Sequence, residues 1–153
     1  MWRMKLCLLV MAVLSYSLAA AAEMESKDAN SQVTSLLQMA AGFGHPPHLT
    51  RSWTGGDPCL GWLGVLCDNN HAVALINLAL YDLSRTISPA VSKLVGLKRL
   101  VLSNNHLTGG IPSGLAALPN LEVLDVRNNS LTSQVPKFRP SVHLLLDGNH
   151  FGG

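Results

Sequence analysis

One phrase limits what this chain can fold into more than any other: "LKRLVLSNNHLTGGIPSGLAALPN", Leu97 to Asn120, which spaces its apolar residues as L-x-x-L-x-L-x-x-N-x-L. A helix would keep apolar residues at i, i+3, i+4 and i+7, and an exposed strand would alternate throughout. Here alternation covers only Leu100 and Leu102 before Asn105 interrupts it. The phrase recurs 24 residues on, with Leu121, Leu124, Val126, Asn129, Leu131, Val135 and Pro136 in the same columns. It also occurs 24 residues earlier, with Val73, Ile76, Leu78, Leu83, Ile87 and Leu94, although Tyr81 stands where the Asn belongs. A fourth copy starts near Ser141 with Leu144, Leu146, Asn149 and Phe151, so the third has 20 residues and lacks four after "VPKFRP".

This register is that of leucine-rich repeats, and "LTGGIP" resembles their plant extracellular type. One repeat cannot bury its own apolar face, so repeats stack into a curved solenoid with one short parallel strand each. The fold class expected is an α/β repeat solenoid with parallel strands on its concave face. The column Asn is structural, because its amide bonds backbone groups that would otherwise be buried unpaired.

The chain opens with a basic start (Arg3, Lys5), an apolar run from Leu6 to Leu14 and Ala20-Ala21-Ala22 before Glu23, which reads as a secretory signal. The expected organisation is a leader at 1-22, a cap at 23-72 and repeats at 73-96, 97-120, 121-140 and 141-153, the last partial. Removing the leader takes two of the 11 basic residues and none of the 9 acidic ones, leaving a neutral balance that points to no nucleic acid. It also takes Cys7, leaving Cys59 and Cys67 as an even pair in a secreted chain, expected to form one disulfide worth roughly 2–3 kcal/mol. Two Cys lack two further ligands at suitable spacing, so no metal is expected there.

In "DANSQVTSLLQMAAG", Val33, Leu36, Leu37 and Ala40 form one apolar helical face, with Asp28, Asn30 or Ser31 placed to cap its start and Gly42 its end. This helix, with Trp53, Trp62 and the disulfide, would cover the open core of the first repeat. "SWTGGDPCLGWLGVLC", the lead-in "AAGFGHPP", the shortened "VPKF" repeat and the closing "GN" resemble the ectodomains of the plant transmembrane-kinase (TMK) receptor subfamily, in particular their membrane-proximal repeat block. The resemblance covers about residues 28 to 150. Such receptors also carry a transmembrane helix and a kinase, but this sequence holds no glycine-rich nucleotide loop and no catalytic-loop motif.

No enzyme activity or cofactor is expected. His45 and His48 flank two prolines without supporting ligands, and Glu122 and Asp125, three apart, face different ways in the repeat register. Binding is expected on the concave face, at the x positions of the strands. These are Leu75, Asn77 and Ala79; Arg99, Val101 and Ser103; Val123, Asp125 and Arg127; and His143, Leu145 and Asp147. The mixture of apolar residues and opposed charges suits a peptide, or another receptor-kinase ectodomain, better than a small molecule. Asn128, in Asn128-Asn129-Ser130, is the one glycosylation sequon and adjoins this face.

The expected function is thus a secreted, extracellular interaction module of the cell-wall space. A fragment of a membrane receptor-like serine/threonine kinase, placed at the plasma membrane through a missing segment, is one alternative. A secreted inhibitor of a wall-degrading enzyme is another. "GNHFGG" interrupts the fourth repeat, which leaves an apolar end to be covered by a neighbour or by the shortened third repeat.

Overall fold

The computed structural model describes the backbone of residues 2–152 and the side chains of residues 4–152. Met1, the side chain of Arg3 in the basic start of the expected leader, and Gly153 at the end of the expected fourth repeat lie outside the described residues. Two helices lead the chain, α1 (Trp2–Gly42) and α2 (Pro47–Ser52). Five strands then form one sheet: β1 (Val65–Cys67), β2 (Val73–Asn77), β4 (Arg99–Val101), β6 (Val123–Asp125) and β7 (His143–Leu145), in the order β1-β2-β4-β6-β7. All neighbours pair in parallel except β1, which runs antiparallel to β2. A second, two-stranded sheet of β3 (Ser84–Thr86) and β5 (His106–Thr108) lines one flank.

The registers Ile76↔Leu100, Leu100↔Leu124 and Leu124↔Leu144 repeat the columns read from the sequence. Successive strands therefore send the same column into the core, where Ile76, Leu78, Leu100, Leu102, Leu107, Leu124, Val126 and Leu131 are fully buried. The turn after each strand is set by the column Asn. Asn105 accepts from Leu83 N–H at 2.9 Å and donates to the carbonyls of Leu78 and Leu102 at 2.8 and 2.9 Å. Asn129 accepts from Leu107 N–H and donates to Leu102 and Val126, and Asn149 repeats the pattern with Leu131, Val126 and Leu146. Just before each Asn-column position the backbone enters the left-handed region, at Leu80 (φ 64), Asn104 (57), Asn128 (53) and Gly148 (72).

Each of the first two repeats crosses its convex side through a 3-10 turn, Pro89–Lys93 and Ser113–Ala117. The third has none, and its missing four residues are that turn. Arg139 stands in for it, donating Nη1 to the carbonyl of Leu118 at 2.6 Å and Nη2 to that of Leu121 at 3.0 Å.

The cap differs from expectation at its helix. No break occurs at Asp28, Asn30 or Ser31, because α1 runs unbroken from Trp2, through a segment rich in helix-favouring Leu and Ala and free of Pro and Gly. The buried stripe is Leu36, Met39, Ala40 and Phe43, while Leu37 is 44% exposed. Gln32 explains the rotation: its Nε2 donates to the carbonyl of His71 at 3.2 Å and its Oε1 accepts from Val73 N–H at 2.6 Å, so a polar side chain extends the stripe that grips the β1–β2 hairpin. Below it Trp53 and Trp62 stack at 5.7 Å, both buried, with their indole N–H groups on the carbonyls of Leu63 and Thr54. Cys59 and Cys67 are bridged.

Replacing Asn129 by Ala leaves Leu107 N–H unpaired and takes one of two amide donors from each of the Leu102 and Val126 carbonyls, which keep Asn105 and Asn149; it should cost about 2 kcal/mol, read as a lower urea midpoint at unchanged slope. Leu80→Asn should do the opposite, gaining about 1 kcal/mol, since Leu80 is 78% exposed and held at a backbone angle that Asn tolerates better.

Candidate binding face

The strand registers arrange the concave face in rows. Leu75, Arg99, Val123 and His143 form one row, and Asn77, Val101, Asp125 and Leu145 the next. Ala79, Ser103, Arg127 and Asp147 follow just past the strand ends, kept in line by ladder bonds such as Leu80 N–H to Ser103 and Asn104 N–H to Arg127. Arg99, Asn77, Arg127, His143 and Asp147 are exposed, and Leu75, Ala79, Val101, Val123 and Leu145 are half-buried.

Two residues of the predicted face are covered: Ser103 and Asp125 are each 5% exposed. Asp125 holds the guanidinium of Arg127 in a two-point pair, Nε to Oδ1 at 2.9 Å and Nη2 to Oδ2 at 2.8 Å, and also accepts Arg127 N–H at 3.2 Å. These bonds to Arg127, against the opposing effect of burial and with help from Ser103, hold the Asp125 carboxyl below its ordinary range. Arg127 is raised in turn by the same partner. The centre of the face therefore neutralises itself. Arg99 and Asp147 form no ion pair among the described residues, so the exposed charge they carry is open to a partner.

Sequence reasoning missed Leu66. It sits on β1, pairs with Leu75 at the edge of the first row and is 63% exposed. The alternation Val65-Leu66-Cys67 was the signal available, but it lay in the cap rather than in a repeat. No residue of the face lines either marked depression. The two lie elsewhere, one of about 690 Å³ between α1 and the Lys93–Gly96 segment, the other of about 480 Å³ beside Phe43, His48 and Tyr81.

The remaining predicted residues fall as follows. Asn128 is exposed at the rim, with its amide donating to Asn104 Oδ1 at 2.8 Å. His45 is exposed, and His48 packs on Tyr81 with ring centroids 5.3 Å apart. The structure does bring one group of candidate ligands together, away from both: Asp57, Cys59 and His71, in the disulfide corner of the cap. His71 and Asp57 meet there at 2.8 Å, and Asp57 is held below the ordinary carboxyl range chiefly by that contact.

Asp125 fixes a pH dependence. A carboxyl lowered on folding stabilises the fold above its unfolded pKa of about 3.9, and that contribution is lost as pH falls through the lower folded value. Thermal melts between pH 6 and pH 2, ranges chosen to bracket about 3.9, should show the wild type losing stability at the acid end. Asp125→Asn should start lower at pH 6 and lose less on acidification, on the same scale.

The model of the Leucine rich repeat N-terminal domain matches residues 29–68, and that of Leucine Rich repeats (2 copies) matches residues 95–139. The Receptor protein kinase WSS1 of Oryza sativa subsp. japonica is 53% identical over 120 residues, which cover 78% of this chain and 13% of that protein. The Receptor-like kinase TMK4 of Arabidopsis thaliana is 43% identical over 75 residues, 48% of this chain and 8% of that one. The chain thus spans a small part of these relatives' length. Among solved structures, the BIR2 ectodomain from Arabidopsis thaliana aligns with TM-score 0.67 at 30% identity, covering 78% of this chain and 68% of that one. The Arabidopsis receptor kinase HAESA, in complex with the peptide hormone IDA and the co-receptor SERK1, aligns with TM-score 0.56 at 28% identity, covering 80% of this chain and 26% of that one.

Proposed function

We infer that this chain, which belongs to the leucine-rich-repeat family in the form of plant receptor-kinase ectodomains, is an extracellular interaction module. It binds a peptide or a second ectodomain on its concave face and has no chemistry of its own. The observation that carries this reading is the open first row: Leu66, Leu75, Arg99, Val123 and His143 line up across all five strands, apolar but for one unpaired guanidinium and one imidazole. The HAESA complex supports it by likeness, since that ectodomain binds a peptide hormone and a co-receptor.

On this reading residues 1-22 are a leader, 23-72 the cap and 73-153 the repeats. Apolar α1, with mean hydropathy 1.9 over its most apolar window, is compatible with a signal sequence and is also long enough to cross a membrane. A glycan on Asn128 would stand at the rim beyond the third row, which leaves the first row as the accessible approach. The second reading, a receptor fragment, is favoured by the short span of the relatives that the chain covers, 13% and 8%. In that case any phosphoryl transfer belongs to segments outside this sequence, and the binding role of the face is unchanged.

The test is a binding screen of the secreted chain against plant signalling peptides and receptor ectodomains, followed by charge reversal. Arg99→Glu should weaken a complex found this way by about tenfold or more, while Arg127→Glu should weaken it less and destabilise the fold. A screen without any partner, or a complex indifferent to Arg99→Glu and Leu66→Ala together, would sink the assignment.

A further inference from the structure

We propose that the disulfide corner of the cap is a latent zinc site, which opens when the Cys59–Cys67 bridge is reduced. The two ligands that the Cys pair lacks in sequence spacing are supplied by the fold. A carboxylate oxygen of Asp57, the sulfur of Cys59 and a ring nitrogen of His71 lie within 4.8 Å of one another, and the sulfur of Cys67 is bonded to that of Cys59. The ligand set reads D-x-C from Asp57 and C-x-x-x-H from Cys67, two short segments of one hairpin corner. A tetrahedral zinc with bonds of about 2.0–2.3 Å needs donor atoms about 3.3–3.8 Å apart. A Cys pair freed from its bond, an imidazole and a carboxylate already this close reach that spacing with side-chain movement alone.

The surroundings hold the ligands in place. Asp57 Oδ1 accepts Cys59 N–H at 2.8 Å, so its Oδ2, now on His71, is the oxygen left to bind. His71 takes a left-handed backbone angle (φ 60), with its N–H on the carbonyl of Asp68 and its own carbonyl gripped by Gln32 from α1. The corner is open enough for an ion to enter, with the His71 side chain 61% and the Asp57 side chain 29% exposed. While the bridge is intact the sulfurs are poor donors, and Asp57 and His71 satisfy each other.

Reduction by a small thiol breaks the S–S bond: two thiol equivalents become one external disulfide, and Cys59 and Cys67 become thiols. Zinc then binds both sulfurs as thiolates, releasing their two protons, and takes neutral His71 and ionised Asp57 as the other ligands. The ion would replace the covalent cross-link, so the cap would keep its grip on the hairpin when the bridge is cut.

The experiment uses the chain carrying Cys7→Ser, so that Cys59 and Cys67 are its only thiols. After anaerobic reduction it is titrated with cobalt(II), a spectroscopic substitute for zinc. One ion per chain should bind with tetrahedral cobalt bands and a thiolate charge-transfer band, both erased by added zinc, while the oxidised chain stays silent. His71→Asn and Asp57→Asn should each weaken binding by at least about tenfold. If reduction loosens the cap, zinc should restore its native circular dichroism. The proposal is overturned if the reduced chain gives no tetrahedral cobalt spectrum, if both variants bind like the parent, or if zinc leaves a loosened cap unrestored.

Discussion

The structure depends on one side-chain amide used three times over. Asn105, Asn129 and Asn149 each accept a backbone N–H of the repeat before and donate to carbonyls on both sides of the junction. Without them every turn that leaves the sheet would bury unpaired backbone groups, at about 1–3 kcal/mol each. The leucine columns supply the apolar area, but any apolar residue of similar size would do that. Only a short amide, with a donor and an acceptor on one fork, closes the turn and joins it to its neighbour.

The same requirement explains the exception. Tyr81 occupies the Asn column in the first repeat, where no earlier repeat presents a turn to be bonded. Its own N–H is instead taken by Asn105 of the following repeat at 3.1 Å, and its ring is free to pack on His48 in the cap. An apparent defect of the pattern is thus what the pattern requires at its start. At the other end Arg139 plays an equivalent part, covering two carbonyls where the third repeat omits its convex turn.

Most of this was legible as periodicity. The strand registers, the buried columns, the bridged Cys pair and the buried Trp pair follow from residues whose role repeats or whose chemistry is restrictive. What escaped was local and aperiodic. The helix face was misread by one position because Leu37 and Met39 fit apolar spacing equally well, and the choice between them was made by Gln32, a polar residue bonding the hairpin. The strand positions of the concave face were readable, but the withdrawal of Asp125 was not. It depends on a side chain two residues away, just past the strand end, folding back onto the strand, and the spacing D-x-R alone does not imply that contact. Asp57 and His71 met for a similar reason, since they stand 14 residues apart on either side of the bridge.

On the proposed reading, the size of the face sets what it recognises. Five strands about 4.8 Å apart, each contributing three to five residues, present on the order of 300 Å². A standard protein–protein interface needs about 800 Å² on each side. With its central charge pair closed on itself, the sheet keeps one usable stripe, running across the strands from Leu66 past Arg99 to His143. An extended peptide laid along that stripe suits its width. A folded partner would need to draw further area from the rim or the cap edge, and Leu66, exposed on the cap's own strand, is where such a partner would cross from the repeats onto the cap.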